Sequence, residues 1–268
     1  MQVITRTAMA AALLLGAVSV AHGQEPARTL VSVWAHPDDE SSVAPVLARY
    51  AREGVQVYII IATDGSQGAA NTSVPRGPEI AKLRVEEARC SALALGARPP
   101  VLLGLPDGSL GNYRAEPAIL FGLTQRLQEE LARLRPDVLI TWGPDGGSGH
   151  PDHRLVSAVV TQLARAGAPG VPPQVFYASI PAEAMRAMNP DREPPPFLAP
   201  QASLFSVRVP VTDADLDAAR RSMACHKTQF PDAAIERMAG GTRNIFKGGW
   251  PLSPLVPGPA SGDLFPAR

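Results

Sequence analysis

Residues 30–65, LVSVWAHPDDESSVAPVLARYAREGVQVYIIIATDG, contain the pattern that decides the fold. Leu30 to Ala35 is a short apolar run that predicts a buried strand, and Ser42 to Glu53 has apolar residues at helical spacing. Gly54 ends that helix, and Val55 to Thr63 is an uncharged run typical of a strand buried on both faces. A strand, a helix and a second strand in this order indicate a parallel sheet with helices packed on it.

The same alternation continues along the chain. Further helices are predicted at Pro78–Leu95, Pro117–Leu134 and His153–Arg165, and further strands at Val101–Leu105, Asp137–Trp142 and Val175–Ile180. The pattern therefore predicts an α/β fold with one Rossmann-like, mostly parallel sheet, helices on both faces and a single domain.

The last third of the chain departs from this pattern. Pro181 to Pro200 is proline-rich and predicts an irregular loop, and Leu204 to Val211 predicts a strand whose Pro210 suits a sheet edge. Thr212 and Asp215 have the spacing of a capping box, which would open a helix running to about Phe230. The Pro- and Gly-rich residues 248–268 predict an irregular tail, so that residues 24–247 form the domain.

The N-terminal segment is typical of a secretory signal peptide. Arg6 precedes a weakly apolar run, and Ala21 to Gly23 resembles a small-residue cleavage site. Cleavage near Gly23 would give a periplasmic or secreted protein, and export favours envelope glycans, imported amino sugars or secreted glycoconjugates as substrates. The two cysteines, Cys90 and Cys225, could pair in such a compartment, although we expect two buried free thiols.

The composition excludes several classes of protein. The 268 residues include 25 basic and 25 acidic side chains and are 45% hydrophobic, which is enough apolar content for a core. Balanced charge argues against a disordered chain or a nucleic-acid partner. No membrane anchor is expected because the apolar run before Gly23 is too short to cross a bilayer. The sequence leaves the oligomeric state open.

Histidines beyond the predicted signal peptide are few: His36, His150, His153 and His226. Three of them lie in two related segments, residues 36–39 (HPDD) and 150–153 (HPDH), each beyond the carboxyl end of a predicted strand. Open α/β sheets bind ligands at that edge. His36, an aspartate and one histidine of the second segment would give two imidazoles and one carboxylate, a set that leaves metal positions open for catalysis.

Residues 35–40 (AHPDDE) and 149–153 (GHPDH) together resemble the PIG-L/LmbE family of zinc-dependent N-acetylglucosaminyl deacetylases. Weaker marks agree with it: residues 63–65 (TDG), 84–87 (RVEE), 105–108 (LPDG) and 226–229 (HKTQ). The resemblance extends from about Leu30 to Gln229.

The resemblance implies a role for each polar residue of these motifs. The metal ligands would be His36, Asp39 and His153; Asp38 would be the general base for metal-activated water; and His150 would stabilise the oxyanion or protonate the leaving amine. Substrate would be bound by Arg84, Asp107 and His226. Glu40 and Asp152 would support the ligands from outside the metal shell. The metal would be Zn²⁺, with Fe²⁺ or Mn²⁺ also able to use such ligands.

The predicted function is metal-dependent removal of acetyl from an N-acetylglucosamine-type amino sugar or glycoconjugate, with a small glycan as the partner. Two alternatives stay open: an amidase acting on a different amide-linked glycoconjugate, and a non-catalytic sugar-binding protein. A non-haem iron oxygenase is disfavoured, since those enzymes usually show His-x-Asp on a β scaffold whereas residues 36–39 are His-x-x-Asp.

Overall fold

The computed structural model describes residues 27–182, 186 and 199–265. Across this part of the chain seven strands form one sheet in the order β3-β2-β1-β4-β5-β7-β6. The strands are β1 Thr29–Trp34, β2 Gln56–Thr63, β3 Val101–Leu105, β4 Val138–Trp142, β5 Val175–Ala178, β6 Val207–Val209 and β7 Trp250–Pro254. Strands β1 to β5 are mutually parallel, whereas β7 runs antiparallel to both of its neighbours.

Helices cover both faces of the sheet. The helices are α1 Ala44–Arg52, α2 Pro78–Ala94, α3 Pro117–Leu134, α4 Gly146–Gly149, α5 Pro151–Arg165, α6 Asp213–Met223 and α7 Asp232–Ile245. Apolar side chains of α1, α2 and α6 form one core with the sheet, and those of α3 and α5 form the other. Among the described helices, none combines the length and the apolar character that a membrane crossing requires.

This topology creates a crevice between two central strands. β1 and β4 are hydrogen-bonded neighbours, but α1 follows β1 onto one face and α5 follows β4 onto the other. The loops that leave their carboxyl ends therefore diverge, which is where open α/β sheets bind ligands. The prediction of a single α/β domain with a mostly parallel sheet is confirmed.

The structure corrects the predicted C-terminal third. The tail contains a strand, β7, which inserts between β5 and β6. The sequence did not predict this strand because Pro251 and Pro254 lie within it. Burial of Trp250 and Leu252 accounts for its place in the sheet. The predicted helix to Phe230 ends at Met223, and α7 was not predicted. The strand expected over 204–211 is only β6, with Pro210 just beyond it.

The structure also shows how the two cysteines are paired. Cys90 and Cys225 form a disulfide, so the expectation of free thiols is wrong. The two cysteines are 135 positions apart in the chain, but α2 and the turn after α6 bring their Cα atoms within 5.7 Å. The predicted signal peptide, residues 1–23, lies outside the described residues, as does most of the Pro181–Pro200 loop.

Candidate functional site

The three predicted metal ligands meet at the crevice between β1 and β4. His36 lies two residues beyond β1, and His153 is in the first turn of α5. The Nδ1 atom of His36 is 3.0 Å from Nε2 of His153. Asp39 completes the group, with Oδ2 3.7 Å from His36 Nδ1 and Oδ1 3.3 Å from His153 Nε2. All three side chains are buried.

Asp39 is held by donors from both strands. Its Oδ2 accepts hydrogen bonds from the backbone N–H groups of Ala35 (3.1 Å) and His36 (2.9 Å) and from the indole N–H of Trp142 (3.2 Å). Burial alone would raise the pKa of Asp39, but the charges and hydrogen bonds of His153 and His36 hold it well below its usual range. Asp39 is therefore a fixed carboxylate.

His153 is oriented by its surroundings. Its Nδ1 lies 2.8 Å from the carbonyl oxygen of Gly146, which accepts a hydrogen bond when Nδ1 carries the proton. The lone pair of Nε2 then faces His36 and Asp39. The ring also stacks on Trp142, with centroids 4.7 Å apart and planes inclined by 4°. This close packing requires glycine in α4, since a Cβ on Gly147 would lie 2.4 Å from the indole.

The other nitrogen of His36 faces two carboxylates. His36 Nε2 is 3.0 Å from Asp107 Oδ1 and 3.4 Å from Asp152 Oδ2, although neither contact has hydrogen-bond geometry. Burial of His36 opposes its protonation, but Asp107, Asp152 and Asp39 outweigh it and raise the pKa of His36 to about 10. These surroundings stabilise positive charge, which a proton or a divalent cation can supply.

The donor set fits a metal ion. Within the described residues, ligand-type atoms lie within 4.8 Å of one another in two groups that share His36: one with His150 and His153, the other with Asp107 and Asp152. Imidazole nitrogens and carboxylate oxygens are ligands of Zn²⁺, Fe²⁺ and Mn²⁺. Asp107, predicted to bind substrate, thus contacts a predicted ligand instead.

Asp38 precedes Asp39 in the chain, and its carboxylate forms an ion pair with Arg84. Its backbone has φ 104°, which is uncommon for a residue with a Cβ. Its side chain is 18% exposed, and Oδ2 is 3.2 Å from Nη2 of Arg84. Burial is the main cause that raises the pKa of Asp38 to about 7; Asp39 adds to it, and the Arg84 charge opposes it.

Three predicted site residues occupy positions that differ from expectation. Arg84 is buried, and besides Asp38 its guanidinium bonds the carbonyl oxygens of Pro37 and Gly65. Its Nε has no hydrogen-bond partner among the described residues, but that atom is buried. His226 is fully buried, with Nε2 2.6 Å from Glu40 Oε1, and does not line the crevice. Glu40 bonds His226 and not a predicted ligand histidine.

His150 begins α5 as its N-cap residue. Its Nδ1 accepts a hydrogen bond from the Asp152 N–H at 3.1 Å, and its ring centroid is 4.8 Å from that of His36. Burial and the neighbouring His36 and His153 lower the pKa of His150, which favours the neutral ring. Asp152 also accepts from the N–H groups of Gly108 (2.9 Å) and Gly111 (3.2 Å) and so joins α5 to that loop.

Sequence reasoning missed two residues that support the site. Trp142 both donates to Asp39 and stacks on His153, and Ser91 donates to Glu40 Oε1 at 2.5 Å. Trp142 ends β4 at the ligand-binding edge of the sheet, and that position was the available signal. Ser91 lies within α2 and carries no such signal.

The proteins that are similar to this chain include named deacetylases. A deacetylase of 1D-myo-inositol 2-acetamido-2-deoxy-alpha-D-glucopyranoside from Nakamurella multipartita is 35% identical over 238 residues, covering 76% of this chain and 80% of the relative. The Rhodococcus jostii enzyme of the same name is 30% identical, with 75% and 82% covered. The fold resembles that of N,N'-diacetylchitobiose deacetylase from Pyrococcus horikoshii, with a TM-score of 0.60, 20% identity, and 85% and 83% covered.

These relatives contradict the predicted location. The proteins that align with this chain over most of its length are named for a small inositol-linked amino sugar, not for an envelope glycan. The expectation of a periplasmic or secreted protein, cleaved near Gly23, is therefore wrong. It rested on a short N-terminal apolar run, and such a run is weak evidence beside similarity across the folded domain.

The family follows from the part of the chain that builds the crevice. The profile of the family described as GlcNAc-PI de-N-acetylase (PIG-L) matches residues 31–164. That stretch holds most of β1, all of β2 to β4 and both histidine segments, 36–39 and 150–153. With relatives of 30–35% identity over 238 residues, this chain belongs to the PIG-L family of de-N-acetylases.

Proposed function

We propose that this chain is a zinc-dependent hydrolase that removes the acetyl group from an N-acetylglucosamine-type amino sugar. The observation that carries the proposal is the convergence of His36 Nδ1, His153 Nε2 and the Asp39 carboxylate within 3.7 Å, with a second carboxylate, Asp38, beside them. A ligand triad and an adjacent proton acceptor are the parts that amide hydrolysis needs.

The proposed metal ligands are His36, Asp39 and His153. Two imidazoles and one carboxylate are typical of catalytic zinc sites, which keep a position open for water and substrate. Bound Zn²⁺ would polarise the acetyl carbonyl and lower the pKa of water to about 7. Outside the ligands, Gly146 fixes the His153 ring and Trp142 fixes the Asp39 carboxylate.

Asp38 is proposed as the general base. Burial keeps its pKa near 7, so the carboxylate can accept a proton from the attacking water at neutral pH and release it later in the cycle. The ion pair with Arg84 sets the direction of the carboxylate, since Oδ2 is 3.2 Å from Nη2. Arg84 is therefore a positioning residue, not a substrate ligand.

His150 is proposed to stabilise the developing oxyanion. Its Nδ1 accepts the Asp152 N–H, so the proton of the neutral ring lies on Nε2 and is available to donate. A donor fixed in advance of the reaction stabilises negative charge on the tetrahedral oxygen without reorganisation.

The substrate class comes from the relatives. The curated relatives are named for an inositol-linked 2-acetamido-2-deoxyglucopyranoside, and the Pyrococcus protein for N,N'-diacetylchitobiose. Both compounds present an acetamido group at carbon 2 of a glucose ring. We propose that this chain recognises that group within a small glycoconjugate.

An amine-release assay tests the proposal. Chelated protein is incubated with the inositol-linked substrate, N,N'-diacetylchitobiose and N-acetylglucosamine, with and without one equivalent of Zn²⁺, Fe²⁺ or Mn²⁺. We expect free amine only when metal is restored, with Zn²⁺ the most effective. The Asp38→Asn variant, loaded with metal, is the matched control. Stoichiometric metal without amine from any substrate would instead favour a sugar-binding protein.

A further inference from the structure

The disulfide lies next to two residues that bond the same carboxylate oxygen. Cys90 is followed by Ser91, whose Oγ donates to Glu40 Oε1 at 2.5 Å. Cys225 is followed by His226, whose Nε2 is 2.6 Å from that same oxygen. The disulfide therefore links covalently the two chain segments whose side chains bond Glu40.

Glu40 in turn bonds the backbone of Asp38. Its second oxygen, Oε2, accepts a hydrogen bond from the Asp38 backbone N–H at 3.0 Å. Glu40, Ser91 and His226 are each at most 1% exposed, so no water competes for these bonds. Asp38 has φ 104°, a conformation that persists only where surrounding contacts impose it.

The disulfide itself can be reached from solvent. Cys90 is exposed and Cys225 is half-buried, in contrast to the fully buried groups beside them. A dithiol could therefore attack the bridge: the S–S bond takes two electrons and two protons, giving two thiols, and the dithiol becomes a disulfide. Reduction would remove the covalent link between α2 and the turn that carries His226.

We propose that the Cys90–Cys225 disulfide positions the general base, acting through Ser91, His226 and Glu40 on the backbone of Asp38. The inference rests on the proposed function of Asp38. It predicts that a dithiol lowers the rate of the chemical step. The proposed metal ligands His36 and His153 make no bond to Glu40, Ser91 or His226, so they should keep their metal.

The test compares oxidised and reduced holoenzyme. Wild-type protein is treated with dithiothreitol, its free thiols are counted, and kcat, KM and zinc content are measured on the preferred substrate. We expect kcat to fall about tenfold, the lower limit for changes around a metal site, with KM and zinc content unchanged. Reoxidation should restore kcat, and the Cys90→Ser/Cys225→Ser variant should have the low kcat without responding to dithiol.

A second readout does not depend on turnover. The ¹H–¹⁵N signals of the His226 imidazole report its bond to Glu40, and we expect them to shift on reduction. If no substrate released amine but the His226 signals still shifted, the proposed function would be refuted. The connection between the disulfide and Glu40 would still be supported. Unchanged kcat and unchanged His226 signals with both thiols free would overturn the inference.

Two variants separate positioning from general stability. Ser91→Ala keeps the disulfide but removes one bond to Glu40, and it should lower kcat alone. Arg52→Gln breaks an ion pair with Asp215 at the opposite end of α6, so it should lower the unfolding temperature and leave kcat unchanged. A parallel fall of kcat, zinc content and unfolding temperature on reduction would show that the bridge is only structural.

Discussion

Asp38 and Asp39 are adjacent in the chain, yet their carboxylates lie in different surroundings. Asp39 accepts two backbone N–H groups and an indole N–H, and His153 and His36 keep its pKa low. Burial raises the pKa of Asp38 to about 7, although the charge of Arg84, its ion-pair partner, opposes that rise. These different surroundings support the proposed roles, Asp39 as a metal ligand and Asp38 as the proton acceptor, a division that the spacing of two neighbouring aspartates could not provide.

Replacing each aspartate by asparagine should separate the two roles. Asp38→Asn should lower kcat about 10²–10⁴-fold, the usual contribution of a general base, while zinc stays bound. Asp39→Asn should lose zinc, because an amide oxygen carries no charge for the cation. Metal content by atomic absorption and kcat on the same samples check both expectations. Near-normal turnover in Asp38→Asn would remove it from the mechanism.

Trp142 offers a test of support from outside the ligands. Trp142→Phe keeps an aromatic face for His153 but removes the N–H that bonds Asp39 at 3.2 Å. We expect zinc affinity, measured by competition with a chromophoric chelator, to fall about tenfold. Trp34→Phe is the matched control, since Trp34 is also buried but its Nε1 has no hydrogen-bond partner among the described residues. Equal effects of both changes would mean that volume, not the hydrogen bond, matters.

The short helix α4, between β4 and α5, sets the orientation of the His153 ring. Gly146 and Gly147 both have positive φ, and the turn they form brings the Gly146 carbonyl to His153 Nδ1. Gly147→Ala should cost the strain of a positive φ, about 1–3 kcal/mol, and in addition displace Trp142, since the new Cβ would lie 2.4 Å from its ring. Gly167→Ala is the control: its φ is +62° and its Cβ would meet nothing within 4 Å.

Zinc affinity and urea unfolding distinguish the two glycine variants. Both should lose some stability, but only Gly147→Ala should also lose zinc affinity. If Gly147→Ala bound zinc as tightly as wild type, the stack of Trp142 on His153 would not support the metal site.

The N-terminus of α6 predicts a dependence of stability on pH. Asp215 accepts from the Thr212 N–H and from Arg52, and these bonds overcome the effect of burial and lower its pKa. A lowered pKa stabilises the fold above the ordinary carboxyl value near 4, and that stability is lost as pH falls through the folded-state value. At pH 7, Asp215→Asn should lower the free energy of unfolding by about 1 kcal/mol.

Urea unfolding at neutral pH and at about pH 3 checks the sign of this effect, because at about pH 3 the Asp215 carboxyl of the unfolded chain is mostly protonated and part of the stabilisation is already lost. The difference between wild type and Asp215→Asn should shrink in acid. A difference that stays constant would assign the stabilisation to shape and not to charge.

Across the whole molecule, the sequence predicted best those strands and helices that form from the apolar pattern of residues close together in the chain. Alternating apolar strands and helices identified β1 to β5, and α3 was predicted with the bounds it has. Contacts between distant segments were not predictable, including the bridge of Cys90 to Cys225 and the burial of His226 against Glu40. The two histidine segments indicated the candidate metal site, because both follow strands that are neighbours in the sheet.

The tail shows how such distant contacts complete the fold. β7 joins β6 to the rest of the sheet through β5, and Tyr50 of α1 donates to Asp263 at 2.7 Å. The buried side chains of the described tail include four large apolar ones, those of Trp250, Leu252, Leu264 and Phe265. At about 1.5–3 kcal/mol each, their burial is comparable with the 5–15 kcal/mol by which a domain is stable.

A chain that ends at residue 247 should therefore fail to fold. Without β7, strand β6 has no partner in the sheet and the α1 face loses the apolar cover of the tail. We expect this truncation to be recovered in the insoluble fraction and to lack a cooperative thermal transition. A chain that ends at Phe265 keeps all the contacts named above and should melt like the full-length protein. A soluble, cooperatively folded 247-residue chain would show that β1 to β5 with their helices form a self-sufficient domain, and β7 would then be an addition to the fold.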